Sequence, residues 1–592
     1  MKTTVAQYII DYLQVVENVK HIFTVVGGGC IFLEEALRKS NIKPVFCLKE
    51  QGAAIAAEAY SQAGGLGVAL VTTGPGVTNA LTGVAGGYLE STPMLVISGQ
   101  VNTFHSASQS GVRQRGFQEL RTDRLVSSIV KEYVCVQNSD QNSLDRMLNR
   151  VLYAMRKGRP GPVWIDIPLD IQNQEIEVDG NYHADAWPQP NIDWLGWEED
   201  VWEHLIQCLK EAKRPICLAG NGIRLAGMEE QFKELVHELN LPVLCTWKTF
   251  DMFNVDDRLY AGRPGIVTSR YANKLQQESD LFISFGARLD LGQVAFNYPN
   301  FAPSARKIIF DVDERELTKW IDIPKAGIYG GHLKYIIPKL LDHVKRTFAG
   351  YNPDAEWPQY CELVKQRNSL KKEHAKDRAF NFYKVLPYIA DGLTNDNMIV
   401  HGSSGTCSEA TCQALEPKIK TRVIGTHGLG SMGFGVPAAI GAHYATGKQI
   451  ICIEGDGSLT MNLQELQVLL SNELPICIIV LNNNGYASIR NTQDKLFKRE
   501  QFGSGPSSGL ELPNNIDIAS TFGLNYHMIT DETQLTVIPH ILQHITRPTM
   551  IEVFVDAHDT VTYPRTHTKV QVDGTITTMP MDDLWPTQGE TT

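Results

Sequence analysis

The sequence has no pair of cysteines spaced for a zinc ribbon or a redox site. Its 11 cysteines are odd in number, scattered, and form no C-x-x-C. Structural disulfides are not expected, and a reducing compartment fits. Positive charge is not in excess either. Lys and Arg total 54 against 66 Asp and Glu, a formal net charge of −12, which argues against a nucleic-acid partner. No apolar run is long enough to span a bilayer, so no membrane partner is expected. The first residues, MKTTVAQYIIDYLQ, read as an amphipathic helix and not as a signal peptide. These absences leave a cytoplasmic globular chain, and 592 residues suggest three or four domains.

What is present is a repeated alternation of short apolar strands and helical stretches, the pattern of α/β parallel sheets. HIFTVV, PVFCL, GVALVTT and MLVISG carry it through a first domain, residues 1–185. Residues 171–198, rich in Asp, Asn, Pro and Trp, read as a linker. PICLAGNGI, LPVLCTW, DLFISFGARLD and RKIIFDVDE form a central domain, 195–345. After a charged helical connector the pattern resumes over 375–560, and 561–592 are a tail.

The most informative stretch is Ile451 to Tyr486. An apolar strand turns at Gly455-Asp456-Gly457-Ser458, a helix follows, and a second strand ends at Asn482-Asn483. In such a βαβ unit ligands bind at the carboxyl ends of the strands. Gly455 and Gly457 let the backbone approach a ligand. Ser458 is expected to start the helix, whose N-terminus favours an anion. Asp456 and Asn483 are hard oxygen ligands suited to magnesium or calcium. Together they read as a metal-bridged diphosphate site. The alternative is a tight turn with a solvated Asp. A second motif, Gly428-x-Gly430-x-x-Gly433, is formally a dinucleotide fingerprint, with Glu454 as the ribose-binding acid. A nicotinamide-dependent dehydrogenase is the rival function.

Gly-Asp-Gly followed by Asn-Asn after a helix and a strand resembles the thiamine-diphosphate fingerprint. Residues 1–555 resemble the acetolactate synthase-like branch of that family. The resemblance implies three doubly wound α/β domains, named for pyrimidine binding, a central role and diphosphate binding. It implies thiamine diphosphate and Mg2+ as cofactors. It implies Asp456, Asn483 and the main-chain oxygen of Gly485 as metal ligands, with Gly455, Gly457, Ser458 and Tyr486 beside the cofactor. It implies that Glu50, in Glu50-Gln51-Gly52, bonds a ring nitrogen of the aminopyrimidine and promotes its imino tautomer. Without it, Glu50 reads as a helix-start carboxylate. Pro75 and Asn79 of the Gly-Pro-Gly loop, and Gly28, would line the pyrimidine pocket. Gln118 would face the reaction centre. The Gly430 carbonyl would accept from the cofactor's amino group, with Met432 as the apolar wedge under its bent form.

The central domain of some relatives holds FAD without a redox role, while in others it is empty or binds ADP. The resemblance further implies a homodimer or homotetramer with active sites between subunits. The expected reaction takes an acetyl-type unit from a 2-oxo acid such as pyruvate and adds it to a carbonyl acceptor. That acceptor is a second 2-oxo acid or a keto-sugar nucleotide. Hydrolytic cleavage of a diketone is an alternative on the same scaffold. Several positions depart from the family. Lys49 stands where His commonly precedes the Glu, and Val25-Val26 where relatives have an aromatic residue and Pro. Tyr486 to Gln493 and the ending TYPRTHTKVQVDGTITTMPMDDLWP also differ. The last two matter because family substrate contacts come largely from those regions.

Overall fold

The protein was analysed as a computed structural model, which describes residues 1–183, 199–347, 356–374, 377, 379–402, 404–497, 500–557, 561–570 and 576–587. Of the expected linker, residues 184–198 lie outside the described residues. Its earlier part belongs to the first domain, because Glu175–Glu177 pairs antiparallel with Lys2–Thr4.

Three parallel sheets dominate. The first contains β1 (His21–Thr24), β2 (Lys43–Phe46), β3 (Gly67–Val71), β4 (Met94–Gln100), β5 (Glu132–Cys135) and β6 (Val163–Pro168). Their order is β2-β1-β3-β4-β6-β5. The central sheet contains β7 (Pro215–Ala219), β8 (Val243–Cys245), β9 (Leu281–Phe285), β10 (Arg306–Asp311) and β11 (Ala326–Gly330), in the order β8-β7-β9-β10-β11. The third contains β12 (Asn397–His401), β13 (Val423–Ile424), β14 (Gln449–Gly455), β15 (Ile476–Asn482), β16 (Asn525–Ile529) and β17 (Thr549–Phe554). Its order, β13-β12-β14-β15-β17-β16, repeats that of the first sheet. All pairings inside these sheets are parallel. Strands such as Val68-Ala69-Leu70-Val71 and Cys477-Ile478-Ile479-Val480 are apolar on both faces, because helices cover both sides.

The first and third domains meet through three helices: α1 (Glu50–Gln62), α2 (Pro75–Leu89) and α3 (Gly435–Thr446). Alanine occupies much of α1, EQGAAIAAEAYSQ, and the helix is buried on nearly every side. Close approach explains the small residues. A Cβ on Gly441 would stand 2.0 Å from the Ala56 carbonyl oxygen, and one on Gly83 would stand 2.7 Å from the Ala54 Cβ. This packing fixes the start of α1, which carries Glu50, relative to the third domain.

The described tail residues pack against the central and third domains. Asn273 donates to the Met581 carbonyl at 2.7 Å, and Met581 is fully buried among central-domain side chains. Gln413 donates to the Pro564 carbonyl at 3.0 Å. The tail straps the central domain to the third. All 11 cysteines are free. No helix among the described residues is long and apolar enough to cross a membrane.

Candidate active site

β14 ends at Gly455, and a one-turn helix, α4 (Asp456–Leu459), begins at Asp456. Asp456 is 4% exposed. Its Oδ1 accepts the Gly457 N–H and its Oδ2 the Gly485 N–H, both at 2.9 Å. Burial raises its pKa to about 6, against the pull of those N–H groups. Asn483, just past β15, is also buried, and its Oδ1 has no hydrogen-bond partner among the described residues. A buried carboxylate next to an orphaned amide oxygen is a donor set that a hard cation completes. A Cβ on Gly455 would meet nothing within 4 Å, so the loop has open space for a ligand there.

One expectation for this loop changes. Ser458 does not start the helix; Gly455 is the cap residue and Asp456 the first helical one. The Ser458 Oγ instead accepts the Gly433 N–H at 2.8 Å. Gly457 is small because the Tyr486 ring packs on it: a Cβ would come within 2.4 Å of that ring. Tyr486 is thus buttressed by the Gly-Asp-Gly turn.

The Gly428–Gly433 loop runs beside this turn. Gly430 and Gly433 have positive φ, 63° and 81°. Asn462 Nδ2 donates to the Gly433 carbonyl at 2.7 Å, and Met432 is half-buried. The ribose-binding role weighed for Glu454 is overturned. Glu454 is 1% exposed and accepts the Gly435 N–H at 2.8 Å. A Cβ on Gly402 or Gly435 would stand about 2 Å from its carboxylate (2.0 and 2.1 Å), so no ribose fits between. It is a buried anchor for α3.

On the other half, Glu50 is the first residue of α1 and is 9% exposed. Asn79 Nδ2, one turn into α2, donates to its Oε2 at 2.9 Å. Pro75 opens α2. Gly74, at φ 69°, passes beneath Gln118, whose carbonyl oxygen lies 2.3 Å from where a Cβ would be. Gln118 itself is exposed, at φ 60°. Gly28 is exposed, with open space at its Cα, while Gly27 and Gly29 pack on Thr72. Glu50, Pro75, Asn79 and Gln118 therefore share one rim of the first domain. Asp456, Asn483, Gly485 and Tyr486 share another in the third.

Three residues organise these rims with no signal in the sequence pattern. Glu119 is buried and accepts N–H groups from Ala107, Arg115 and Gly116, at 2.5, 3.1 and 2.9 Å. It shapes the loop that presents Gln118, with Arg113 and Arg115 exposed beside it. Glu465, fully buried, accepts the Leu48 N–H at 3.2 Å and links the approach to Glu50 with the third domain. Arg490 donates to the Asn483 carbonyl at 2.5 Å and to the Asn484 and Ser504 carbonyls at 2.9 Å. It holds the Asn483–Gly485 loop in shape. Arg490→Met should therefore raise the Mg2+ concentration needed for half-maximal activity by about tenfold, each lost charged hydrogen bond being worth ~1.5–3 kcal/mol before relaxation. Magnesium titration of activity checks this.

Lys248 of the central domain contacts Glu90 at 2.7 Å, and the Gln62 side chain and Gly425 carbonyl at 2.7 and 3.0 Å. Glu90 in turn accepts the N–H groups of His427 and Gly428, where the glycine loop begins. Beside it, Glu58 is wholly buried. Burial, and then the Glu90 carboxylate, raise its pKa to about 8. The folded chain thus holds a proton that the unfolded chain releases above its ordinary value of 4.5. The stabilisation is full below that value and falls as pH rises toward 8. Glu58→Gln should flatten this decline. Denaturation at pH 5.5 and 7.5 should show wild type losing roughly 1 kcal/mol or more over the interval relative to the variant.

Comparison with known proteins covers all three domains. Residues 3–125 match the thiamine pyrophosphate enzyme N-terminal TPP binding domain, 202–332 the central domain and 403–553 the C-terminal TPP binding domain. The chain is 29% identical over 558 residues to the acetolactate synthase isozyme 2 large subunit of Escherichia coli (strain K12), covering 94% of this chain and 96% of that one. It is 30% identical over 543 residues to a probable acetolactate synthase large subunit of Methanococcus aeolicus, covering 88% and 86%. It is 31% identical over 556 residues to the acetolactate synthase large subunit of Parasynechococcus marenigrum (strain WH8102), covering 91% and 85%. On these matches the chain belongs to the thiamine pyrophosphate enzyme family, as a thiamine-diphosphate-dependent enzyme of the acetolactate synthase type.

Proposed function

We propose that the protein decarboxylates a 2-oxo acid such as pyruvate and adds the remaining acetyl-type unit to a carbonyl acceptor. The observations that carry this are a shielded Glu50, held by Asn79, on one rim, and on the other a buried Asp456 with the orphaned side-chain oxygen of Asn483. Asp456, Asn483 and the Gly485 carbonyl would hold Mg2+, and through it the diphosphate. Gly455 and Gly28 leave room for the cofactor. When bound, thiamine diphosphate supplies a nucleophilic carbon that also stores the electrons released by decarboxylation. Glu50 would hold a proton at the pyrimidine ring nitrogen. The Gly430 carbonyl and Met432 orient the cofactor. Gln118 stands over the pyrimidine side, to meet the substrate.

Each rim carries exposed apolar side chains: Val26, Phe46, Leu48 and Phe117 on one, and Leu429, Met461, Ile489 and Phe502 on the other. Their exposure supports a second copy of the chain completing each site, in a homodimer or homotetramer. A cavity of about 670 Å³ lies between the domains, floored by Gly222 and Gly286 and edged by Arg159, Lys248 and Arg288. Its size and cations support an anionic dinucleotide such as FAD, and a yellow colour in purified protein tests that. Free cysteines support a cytoplasmic setting.

For the acceptor, a keto-sugar nucleotide is slightly preferred over a second 2-oxo acid. The support is the divergent Tyr486–Gln493 segment together with exposed Arg113 and Arg115, which suit a phosphate. Incubating the protein with pyruvate and a panel of acceptors, followed by mass spectrometry, tests this. A product two carbons heavier than the sugar nucleotide is expected. Acetolactate as the sole product, with the sugar nucleotide untouched, overturns the acceptor assignment and leaves the carboligase reading standing.

A further inference from the structure

Away from the diphosphate rim, the third domain gathers three soft or borderline ligands at the carboxyl end of its sheet. His401 ends β12, Cys412 lies on the helix Thr406–Ala414, and His427 follows β13. One ligand atom from each lies within 4.8 Å of the other two. None of the three belongs to the diphosphate-binding rim.

The ring of His401 is already set for ligation. Its Nδ1 lies 3.1 Å from the Gly402 carbonyl and 3.2 Å from the Ser408 hydroxyl; the carbonyl can only accept, so a hydrogen on Nδ1 satisfies it and leaves the lone pair on Nε2, with the hydroxyl free to turn. A carbonyl behind the non-ligating nitrogen is the usual support of a metal-binding histidine. That Nε2 lies 3.6 Å from the Cys412 Sγ. A tetrahedral zinc, with bonds of about 2.0–2.1 Å to nitrogen and 2.3 Å to sulfur, separates such a pair by about 3.6 Å. His427 Nδ1 is buried and has no hydrogen-bond partner among the described residues. His401 and Cys412 are at most 1% exposed, and burial disfavours an imidazolium there. The nearby Lys248 ammonium is matched by Glu90 at 2.7 Å, so the cluster is not left facing an uncompensated cation.

We propose that His401, Cys412 and His427 form a zinc site, with its fourth position open toward the interdomain cavity that His427 lines. Binding exchanges the Cys412 thiol proton for Zn2+: the S–H bond breaks, an S–Zn bond forms, and one proton leaves to solvent. No electron is transferred. The metal would tie the residue that opens the Gly428–Gly433 loop to β12 and its following helix. The competing arrangement is a plain S–H donating to the His401 Nε2, with no metal.

The full-length protein, freed of metal by chelator and then given equimolar Zn2+ and dialysed, should retain about one zinc per chain by elemental analysis. Co2+ in place of Zn2+ should give a near-ultraviolet thiolate-to-cobalt band. Cys412→Ser should abolish that band and weaken zinc binding at least tenfold. His427→Gln, at the cavity wall, should weaken zinc binding at least tenfold with the fold intact, and it serves if Cys412→Ser does not fold. No retained zinc in wild type overturns the proposal, as does a cobalt spectrum unchanged by Cys412→Ser. The readout is metal content and spectrum, so it stands or falls apart from the carboligase reading.

Discussion

Glu50→Gln should lower kcat by about 10²–10⁴-fold, the usual worth of a positioned proton-transfer group. The change is nearly isosteric. Glu50 sits at the first turn of α1, which the Ala56–Gly441 and Ala54–Gly83 approaches hold in place. Its Oε2 accepts from Asn79 at 2.9 Å, and an amide oxygen can accept the same bond. The fold and most of the cofactor affinity should therefore survive, with cofactor Kd changing by only a few-fold. What the amide cannot do is share a proton with the pyrimidine ring. Carbon dioxide release under saturating pyruvate, thiamine diphosphate and Mg2+ measures kcat, and calorimetry measures cofactor binding. A variant as fast as wild type would remove Glu50 from the mechanism.

Asp456→Ala should weaken Mg2+-dependent binding of thiamine diphosphate by at least about 10²-fold, comparable to losing one charged ligand of a small oxygen-donor site. Two losses combine. The cation loses its carboxylate, leaving Asn483 Oδ1 as the side-chain donor. The Gly457 and Gly485 N–H groups also lose their acceptor, so the turn and the loop that offers the Gly485 carbonyl are no longer held together. Asp456→Asn separates these effects, because it keeps an acceptor but removes the charge. Calorimetric titration of thiamine diphosphate at several Mg2+ concentrations reads both. Wild-type affinity and an unchanged magnesium dependence in Asp456→Ala would show the metal to be held elsewhere.

The Asp456–Asn483 pair could be proposed from sequence because the segments that carry it are neighbours in one unit. Asp456 and Asn483 end adjacent strands of one βαβ unit, so a pattern of apolar runs brings them together. Glu50 needed the family resemblance, since a carboxylate opening a helix has a common dipole explanation. The three sheets were legible for the same local reason. The repeat of one strand order in the first and third was not, because strand order depends on which helices cover which face.

The helix start expected at Ser458 and the ribose role weighed for Glu454 were misread because their partners, Gly433 and Gly435, come from other segments. Arg490 left no trace for a different reason. Its acceptors are main-chain carbonyls, which any residue supplies. The tail shows the limit from the other side. Its divergence from relatives bears on the substrate, while its described contacts reach the central domain at Asn273 and the third domain at Gln413.

The central claim, cofactor-dependent decarboxylation with carbon–carbon bond formation, is tested most directly by following [2-13C]pyruvate by NMR. Metal- and cofactor-free protein should leave the signal unchanged. Adding thiamine diphosphate and Mg2+ together should consume pyruvate, release carbon dioxide and place the label in a new carbon–carbon bond to the acceptor. Pyruvate consumption that proceeds equally without thiamine diphosphate would contradict the account, as would a labelled product that carries no new carbon–carbon bond.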